Sequence, residues 1–224
     1  MNIAVIPARG GSKRIPNKNI KDFCGKPIIA YSIETALQSD IFDRVIVSTD
    51  SIEIREVSLK FNAEVPSLRP SNISDDNSTT LDVISYEVSN LGLESNDIVC
   101  CIYPTSPLLK IDFLKEAYFR LKEGSYCFSA CEFNSNPLRS FYIKNEKLCL
   151  LNENFTSYRS QDLETFYYDA GQFYFGYASS FLNKKPIFSV DSSVVILPQI
   201  NVVDINTQED WEIAEIKYKI LCKQ

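Results

Sequence analysis

A short apolar run, Ile3 to Ile6, passes straight into Pro7-Ala8-Arg9-Gly10-Gly11, and this junction constrains the fold more than any other stretch of the chain. A run that is apolar at successive positions, rather than alternate ones, suits a strand covered on both faces. The two glycines end it in a loop whose backbone can approach a ligand and present N–H groups to it. Such a strand belongs inside a sheet flanked by helices, with the ligand beyond its carboxyl end.

The rest of the first half has the matching rhythm. Pro27 opens a predicted helix, as proline does at a first helical position, with Ile29, Ile33, Ala36 and Leu37 on one stripe. Arg44 to Val47 reads as a second strand, and Ser51 to Phe61 as a second helix with Ser51 as N-cap. Glu64 and Val65 suggest a short third strand before a polar loop from Pro66 to Ser78. Leu81, Ile84, Val88 and Leu91 recur at helical spacing, Ile98 to Ile102 is a further strand, and a helix runs from about Ile111 to Lys122. Strands alternating with helices argue for an α/β fold with a mostly parallel sheet. The rhythm breaks after Tyr126. Residues 126–150 read as short strands and hairpins, 151–168 as polar, aromatic and irregular, and Phe173 to Tyr177 as a strand. A last helix starts near Thr207, where Asp210 completes a capping box and Trp211, Ala214, Tyr218 and Leu221 form the buried stripe. With 224 residues and neither linker nor repeat, the chain reads as a single domain, 1–224.

Charge and composition exclude whole classes of function. A net charge of -6 does not suit general nucleic-acid binding, so any anion site has to be a local concentration of Lys and Arg. No histidine is present, which removes every mechanism that needs an imidazole base. The seven cysteines form no paired C-x-x-C motif, so neither a zinc site nor a disulfide framework is indicated, and a reducing cytoplasm is the expected compartment. The first apolar run is too short for a signal peptide or a membrane helix.

The glycine loop supplies the local positive charge. Arg9, Lys13, Arg14 and Lys18 place four cationic side chains within ten residues, around Gly10, Gly11 and Ser12. Position and chemistry agree on a phosphate cradle, against the alternative of a flexible basic surface loop. Neither G-x-x-x-x-G-K-[ST] nor G-x-G-x-x-G is present, so this is not a Walker A loop and a dinucleotide cofactor is not expected.

Ile6-Pro7-Ala8-Arg9-Gly10-Gly11-Ser12-Lys13, with Lys18-Asn19-Ile20 after it, resembles the signature of the cytidylyltransferases for nonulosonic acids. The resemblance runs almost end to end. It includes Val47-Ser48-Thr49-Asp50, Leu68-Arg69-Pro70, Tyr103-Pro104-Thr105-Ser106-Pro107 and Asp204-Ile205-Asn206-Thr207. It implies a Rossmann-like nucleotidyltransferase fold, Mg²⁺ as cofactor, CTP and a nine-carbon 2-keto sugar acid as substrates, and a homodimer. The irregular stretch at about 133–168 would be a small dimerisation excursion reaching over the partner subunit. By the same resemblance Arg9, Gly10, Gly11, Ser12, Lys13, Lys18 and Asn19 bind the nucleotide, with Arg9, Lys13 and Lys18 at the reacting phosphates. Arg69, Ser78 and Thr79 would reach the cytidine side. Arginine clamps and backbone N–H groups are suited to the charge that develops on a transferring phosphoryl group.

The family's Asp-x-Asp for the metal corresponds here to Asp204-Ile205-Asn206. Asp204 reads as a Mg²⁺ ligand; Asn206 is either a weaker ligand or the cap of the following helix, with capping preferred. Asp50 and Asp76 are further carboxylates near strand ends, and Asp50 reads as a turn residue before it reads as a ribose or metal partner. For the sugar, Tyr103 stands where sialate enzymes typically carry Gln, and the segments Tyr158 to Leu163 and Tyr168 to Tyr174 resemble the pseudaminate branch. The expected sugar-side residues are Tyr103, Thr105, Ser106, Arg159, Gln161, Asp169 and Gln172, with the Arg159 guanidinium suited to a carboxylate. Phe166, Tyr167, Tyr168 and Phe173 suit a less hydroxylated sugar, although each taken singly reads first as ordinary core or dimer packing. Legionaminate or N-acetylneuraminate as substrate, or a catalytically silent nucleotide-binding protein, are the alternatives.

Overall fold

The computed structural model describes residues 1–75, 78–155 and 157–223. Its strands and helices follow in chain order. They are β1 (Asn2–Pro7), β2 (Asp22–Phe23), β3 (Lys26–Pro27), α1 (Ile28–Gln38), β4 (Arg44–Ser48), α2 (Ile52–Lys60), α3 (Thr80–Asn90) and β5 (Ile98–Ile102). Then come α4 (Ile111–Arg120), β6 (Tyr126–Glu132), β7 (Phe141–Lys144), β8 (Lys147–Leu150), β9 (Tyr167–Tyr177), α5 (Ala178–Leu182), β10 (Ser193–Leu197) and α6 (Gln208–Leu221).

A six-stranded sheet in the order β10-β6-β9-β5-β1-β4 divides the molecule. β1 pairs in parallel with both β4 and β5, as the doubly apolar run Ile3 to Ile6 requires of an interior strand. Its side chains alternate between two cores. Ala4 and Ile6 join Ile29, Ile33 and Leu114 beneath α1 and α4. Ile3 and Val5 join Ile84, Val88 and Phe181 beneath α3 and α5. A third cluster lies beside the sheet, where Trp211 and Ala214 of α6 pack on Phe23, Ile28, Ile15 and Ile205.

The mixed second half departs from the sequence reading. Tyr126–Glu132 is a buried interior strand rather than part of a hairpin, and β9 starts at Tyr167, six residues ahead of the predicted Phe173. β9 runs antiparallel to both β5 and β6 and is the one reversed strand of the sheet. The ladder shifts register between Phe128 and Ala130, and Ser129 Oγ there accepts from the Gln172 and Phe173 amides at 3.0 and 3.3 Å. Glu64 makes only an isolated parallel bridge to Ile46. Pro27 is the N-cap of α1, just outside the helix it was expected to open, and α4 ends at Arg120. Ser51 caps α2 as predicted, its Oγ accepting from the Ile54 amide at 3.3 Å.

Between β6 and β9 the chain leaves the sheet for the β7–β8 hairpin and three single turns of 3₁₀ helix. This hairpin exposes Phe141, Tyr142, Ile143 and Leu148, each more than half accessible. Among the described residues, no helix is long and apolar enough to cross a membrane.

Candidate active site

The carboxyl ends of β1 and β5, with the loop after β4, meet at one edge of the sheet. A cleft of about 610 Å³ opens there. This is the crevice expected where connections from a central strand depart to opposite sides. Its lining includes Arg9, Lys13, Arg14, Lys18 and Arg69 against the single carboxylate of Asp75. Five cations to one anion among the described residues, in a chain of net charge -6, make the cleft an anion site.

The glycine loop is held from below. The Ala8 amide donates to the Ser48 carbonyl, extending the β1–β4 ladder, and the Gly10 amide donates to Asp50 Oδ1 at 2.8 Å. Asp50 therefore fastens the loop, a role that the turn reading did not anticipate. A Cβ on Gly10 would meet Ser51 Cβ at 3.0 Å, so packing against the α2 cap favours glycine there. A Cβ on Gly11 would meet nothing within 4 Å, so its bare backbone faces open space. The Asn19 side chain, itself buried, donates to the Arg9 carbonyl at 3.0 Å and shapes the loop from within.

The far end of the loop is tied to the segment before α6. Ile15 and Ile205 share the third core. Lys18 Nζ donates to the Ile205 carbonyl at 2.8 Å. Burial lowers the Lys18 pKa, the neighbouring Asp204 carboxylate opposes that, and the Arg14 and Arg9 charges add to the lowering. An Arg14 Nη donates to Asn206 Oδ1 at 2.7 Å, and Asn206 Nδ2 donates to Asp204 Oδ2 at 2.6 Å. The cap of α6 is Thr207, with Asp210 completing the capping box; Asn206 contributes only its backbone amide, to the Asp210 carboxylate at 2.9 Å. The capping role preferred for the Asn206 side chain is thus taken by its neighbour.

Arg69 forms the floor. Its side chain is buried, donates to Ser74 Oγ at 3.0 Å, and reaches the carbonyl and hydroxyl of Ser48 at 3.4 and 3.3 Å. Ser48 in turn donates to buried Glu87 at 2.6 Å. The guanidinium is thus tied through a serine to a carboxylate on α3, which keeps a charge tolerable out of water. Ser78 lines the same wall and donates through both its amide and its hydroxyl to Asp75 Oδ1. Thr79 lies just off the cleft as the N-cap of α3. Asp76 lies outside the described residues.

The reversed strand β9 explains the other end. Running against β5, it brings its first residues to the carboxyl end of β5, where the Tyr103 amide donates to the Gln172 carbonyl at 2.9 Å. The Tyr103 hydroxyl, in the cleft, lies 2.8 Å from that of Thr80. Its ring packs 5.6 Å from that of Tyr174, whose hydroxyl donates to Asp169 Oδ2 at 2.5 Å. Burial raises the pKa of both phenols, that of Tyr174 far above the usual range, so both stay protonated at neutral pH. Thr105 lines the cleft, whereas Ser106 and the Gln172 side chain are buried away from it. The Gln172 carboxamide donates instead to the Asn201 carbonyl at 2.5 Å. Arg159 and Gln161 are exposed and do not line the cleft within one chain.

Of the sequence-predicted residues, the cleft gathers Arg9, Ser12, Lys13, Lys18, Asn19, Arg69, Ser78, Tyr103, Thr105 and Asn206. Asp204 flanks it, exposed, through its link to Asn206. Thr80, Asp75 and Glu87 were not singled out in the sequence. The Asp75-x-x-Ser78 spacing is a recognisable turn signal, but nothing local marks Glu87, which reads as an ordinary helix-surface residue. Among the described residues, no three acidic or cysteine side chains gather into a ready-made metal cage.

A family model described as cytidylyltransferase matches residues 3–210. A pseudaminic acid cytidylyltransferase of Campylobacter jejuni subsp. jejuni serotype O:2 is 46% identical over 224 residues, covering 98% of this chain and 97% of the relative. A CMP-N,N'-diacetyllegionaminic acid synthase of Legionella pneumophila is 32% identical, covering 95% and 94%. Among solved structures, a CMP:2-keto-3-deoxy-manno-octonic acid synthetase complexed with CTP superposes with a TM-score of 0.70 at 14% identity, covering 100% of this chain and 99% of the other. The fold is therefore the Rossmann-like α/β fold of nucleotidyltransferases.

Proposed function

Since the chain belongs to the cytidylyltransferase family, we propose that it transfers CMP from CTP to the anomeric hydroxyl of pseudaminic acid, releasing pyrophosphate. The observation that carries the chemistry is the cationic cleft around the glycine loop in an otherwise acidic chain. In this reading Arg9, Lys13 and Lys18 neutralise the triphosphate and the charge that grows on the departing pyrophosphate. The open backbone at Gly11 lets a phosphate oxygen come close, and Ser12 and Asn19 complete the cradle. Arg69, Ser78 and Thr79 serve the cytidine side. The sugar lies towards Tyr103 and Thr105, where Tyr103 and Thr80 offer hydroxyls beside apolar ring surface. The likeness to the Campylobacter enzyme supports pseudaminic acid as that sugar.

Mg²⁺ fits as cofactor through Asp204, whose exposed carboxylate uses only one oxygen, on Asn206, among the described residues. Mg²⁺ commonly takes one or two carboxylates and completes its shell with water and substrate phosphate, where it offsets negative charge. The Asn206 oxygen that would add a second ligand accepts from Arg14.

We further propose that the chain acts as one domain and works as a homodimer in the cytoplasm. The apolar side chains exposed on the β7–β8 hairpin support pairing of the 133–168 excursion with a second copy. Pairing would place Arg159 and Gln161 at the partner's cleft. Seven free thiols suit a reducing compartment. The test of the reaction is CTP-dependent pyrophosphate release across a panel of pseudaminic, legionaminic and N-acetylneuraminic acids. Release with pseudaminic acid well above the other two is expected; turnover of N-acetylneuraminic acid alone would overturn the assignment.

A further inference from the structure

Asn206 departs from the Asp-x-Asp pattern, and the structure gives that departure a consequence. Its carboxamide is polarised at both ends, with Oδ1 accepting from the Arg14 guanidinium at 2.7 Å and Nδ2 donating to Asp204 Oδ2 at 2.6 Å. An amide can do both, whereas an aspartate at this place would have no donor for Asp204 and would repel it. Asn206 is itself held by its backbone amide on the Asp210 carboxylate, at the well-capped start of α6. It is therefore a fixed bracket. The guanidinium it holds lines the cleft beside Lys18.

Charge decides what the bracket does. A carboxylate at position 206 would form an ion pair with Arg14 and cancel its charge towards the cleft. The neutral amide orients the guanidinium through one hydrogen bond and leaves its full charge for a ligand. We infer that Asn206 is a positioning residue for Arg14, and that Arg14 so held is a further cation for the polyphosphate of the nucleotide, acting without any metal ion. This rests on the CTP reading above. It assigns Asn206 to the arginine, not to a metal ion.

The experiment is a double-mutant cycle on CTP affinity, by calorimetry in EDTA and again with Mg²⁺. Wild-type protein that binds no CTP would sink the CTP reading itself and leave no site to assign. If it binds, Arg14→Gln should weaken metal-free binding by roughly tenfold or more, the size of a lost charged hydrogen bond. Asn206→Ala should weaken it in the same direction but less. The double variant should bind no worse than Arg14→Gln alone, because the bracket has nothing left to hold. Asn206→Asp, which preserves size, gives the opposite signs for the two roles. As a bracket turned into an ion-pair partner, it should lower metal-free affinity. As an improved metal ligand, it would leave metal-free affinity unchanged and raise affinity with Mg²⁺. That second pattern, additive effects of the two single variants, or unchanged metal-free affinity in Arg14→Gln would each overturn the inference.

Discussion

Lys18 is half withdrawn from water and hydrogen-bonded to the Ile205 carbonyl, and the cost of that position falls on its charged form. Burial is the main cause of its lowered pKa, with Arg14 and Arg9 adding to it while Asp204 and Asp210 pull the other way. The sign for stability follows. The unfolded chain holds the proton on this lysine more tightly than the folded one, so stability rises with pH from the lowered folded value up to the ordinary 10.5. The Lys18→Met variant should lose that segment of the pH–stability curve. CTP should reverse the shift, since a polyphosphate beside the ammonium favours its charged form, so binding in that alkaline window should take up a proton. Calorimetry in buffers of different ionisation enthalpy reads this uptake directly, and Lys18→Met should abolish it. Proton uptake unchanged in the variant would remove Lys18 from the phosphate site. The lysine was visible in the sequence because basic residues around glycines stand out in an acidic chain. Its tether on Ile205 was not, because a backbone carbonyl nearly the whole chain away leaves no mark on local pattern.

Elements whose signals are local were legible. Ser51 at the start of α2 and the Thr207–Asp210 box of α6 are three- to four-residue motifs, and both are formed. β9 was only half legible. Its first residues, Tyr167 to Gln172, look like an aromatic loop, and what makes them strand is pairing with β6, which is not adjacent in sequence. Edge strand β10 went unread for the same reason, its ladder partner being the parallel β6. The α6 cap also has a task beyond its helix, since Asp210 holds the Asn206 amide and so the start of the segment that meets Lys18 and Arg14. Thr207→Ala should therefore cost about 1 kcal/mol of stability in urea titrations, the usual worth of such a cap. In a chain of this size that is a fall in melting temperature of roughly 2–4 °C. It should also raise the CTP concentration needed for half-maximal rate by more than an equally destabilising change remote from the cleft, such as a core Ile→Val beneath α4. Equal effects on rate from the two variants would mean that the cap serves the helix alone.

At the scale of the whole molecule, one chain gathers most of the residues expected to hold the nucleotide but an incomplete set of the expected sugar residues. Arg9, Lys18, Arg69 and Tyr103 converge within the sheet edge, while Arg159 and Gln161 stand exposed on the excursion beyond the β7–β8 hairpin. No sequence pattern distinguishes a residue that serves its own cleft from one that serves a neighbour's, since that depends on symmetry and not on chain order. The exposed Ile143 and Leu148 give a way to separate the two. Replacing both with Glu should convert a sedimenting dimer into monomer and remove turnover while leaving CTP binding in place. Subunit mixing then identifies which chain supplies Arg159. Arg159→Ala and Lys18→Ala proteins should each be inactive alone. Exchanged at equal amounts, half of the pairs are mixed, and each mixed pair has one cleft with its own Lys18 and the partner chain's Arg159. About one quarter of wild-type activity should return if Arg159 acts across the pair. If Arg159 serves its own chain, every cleft in the mixture lacks one residue and no activity returns.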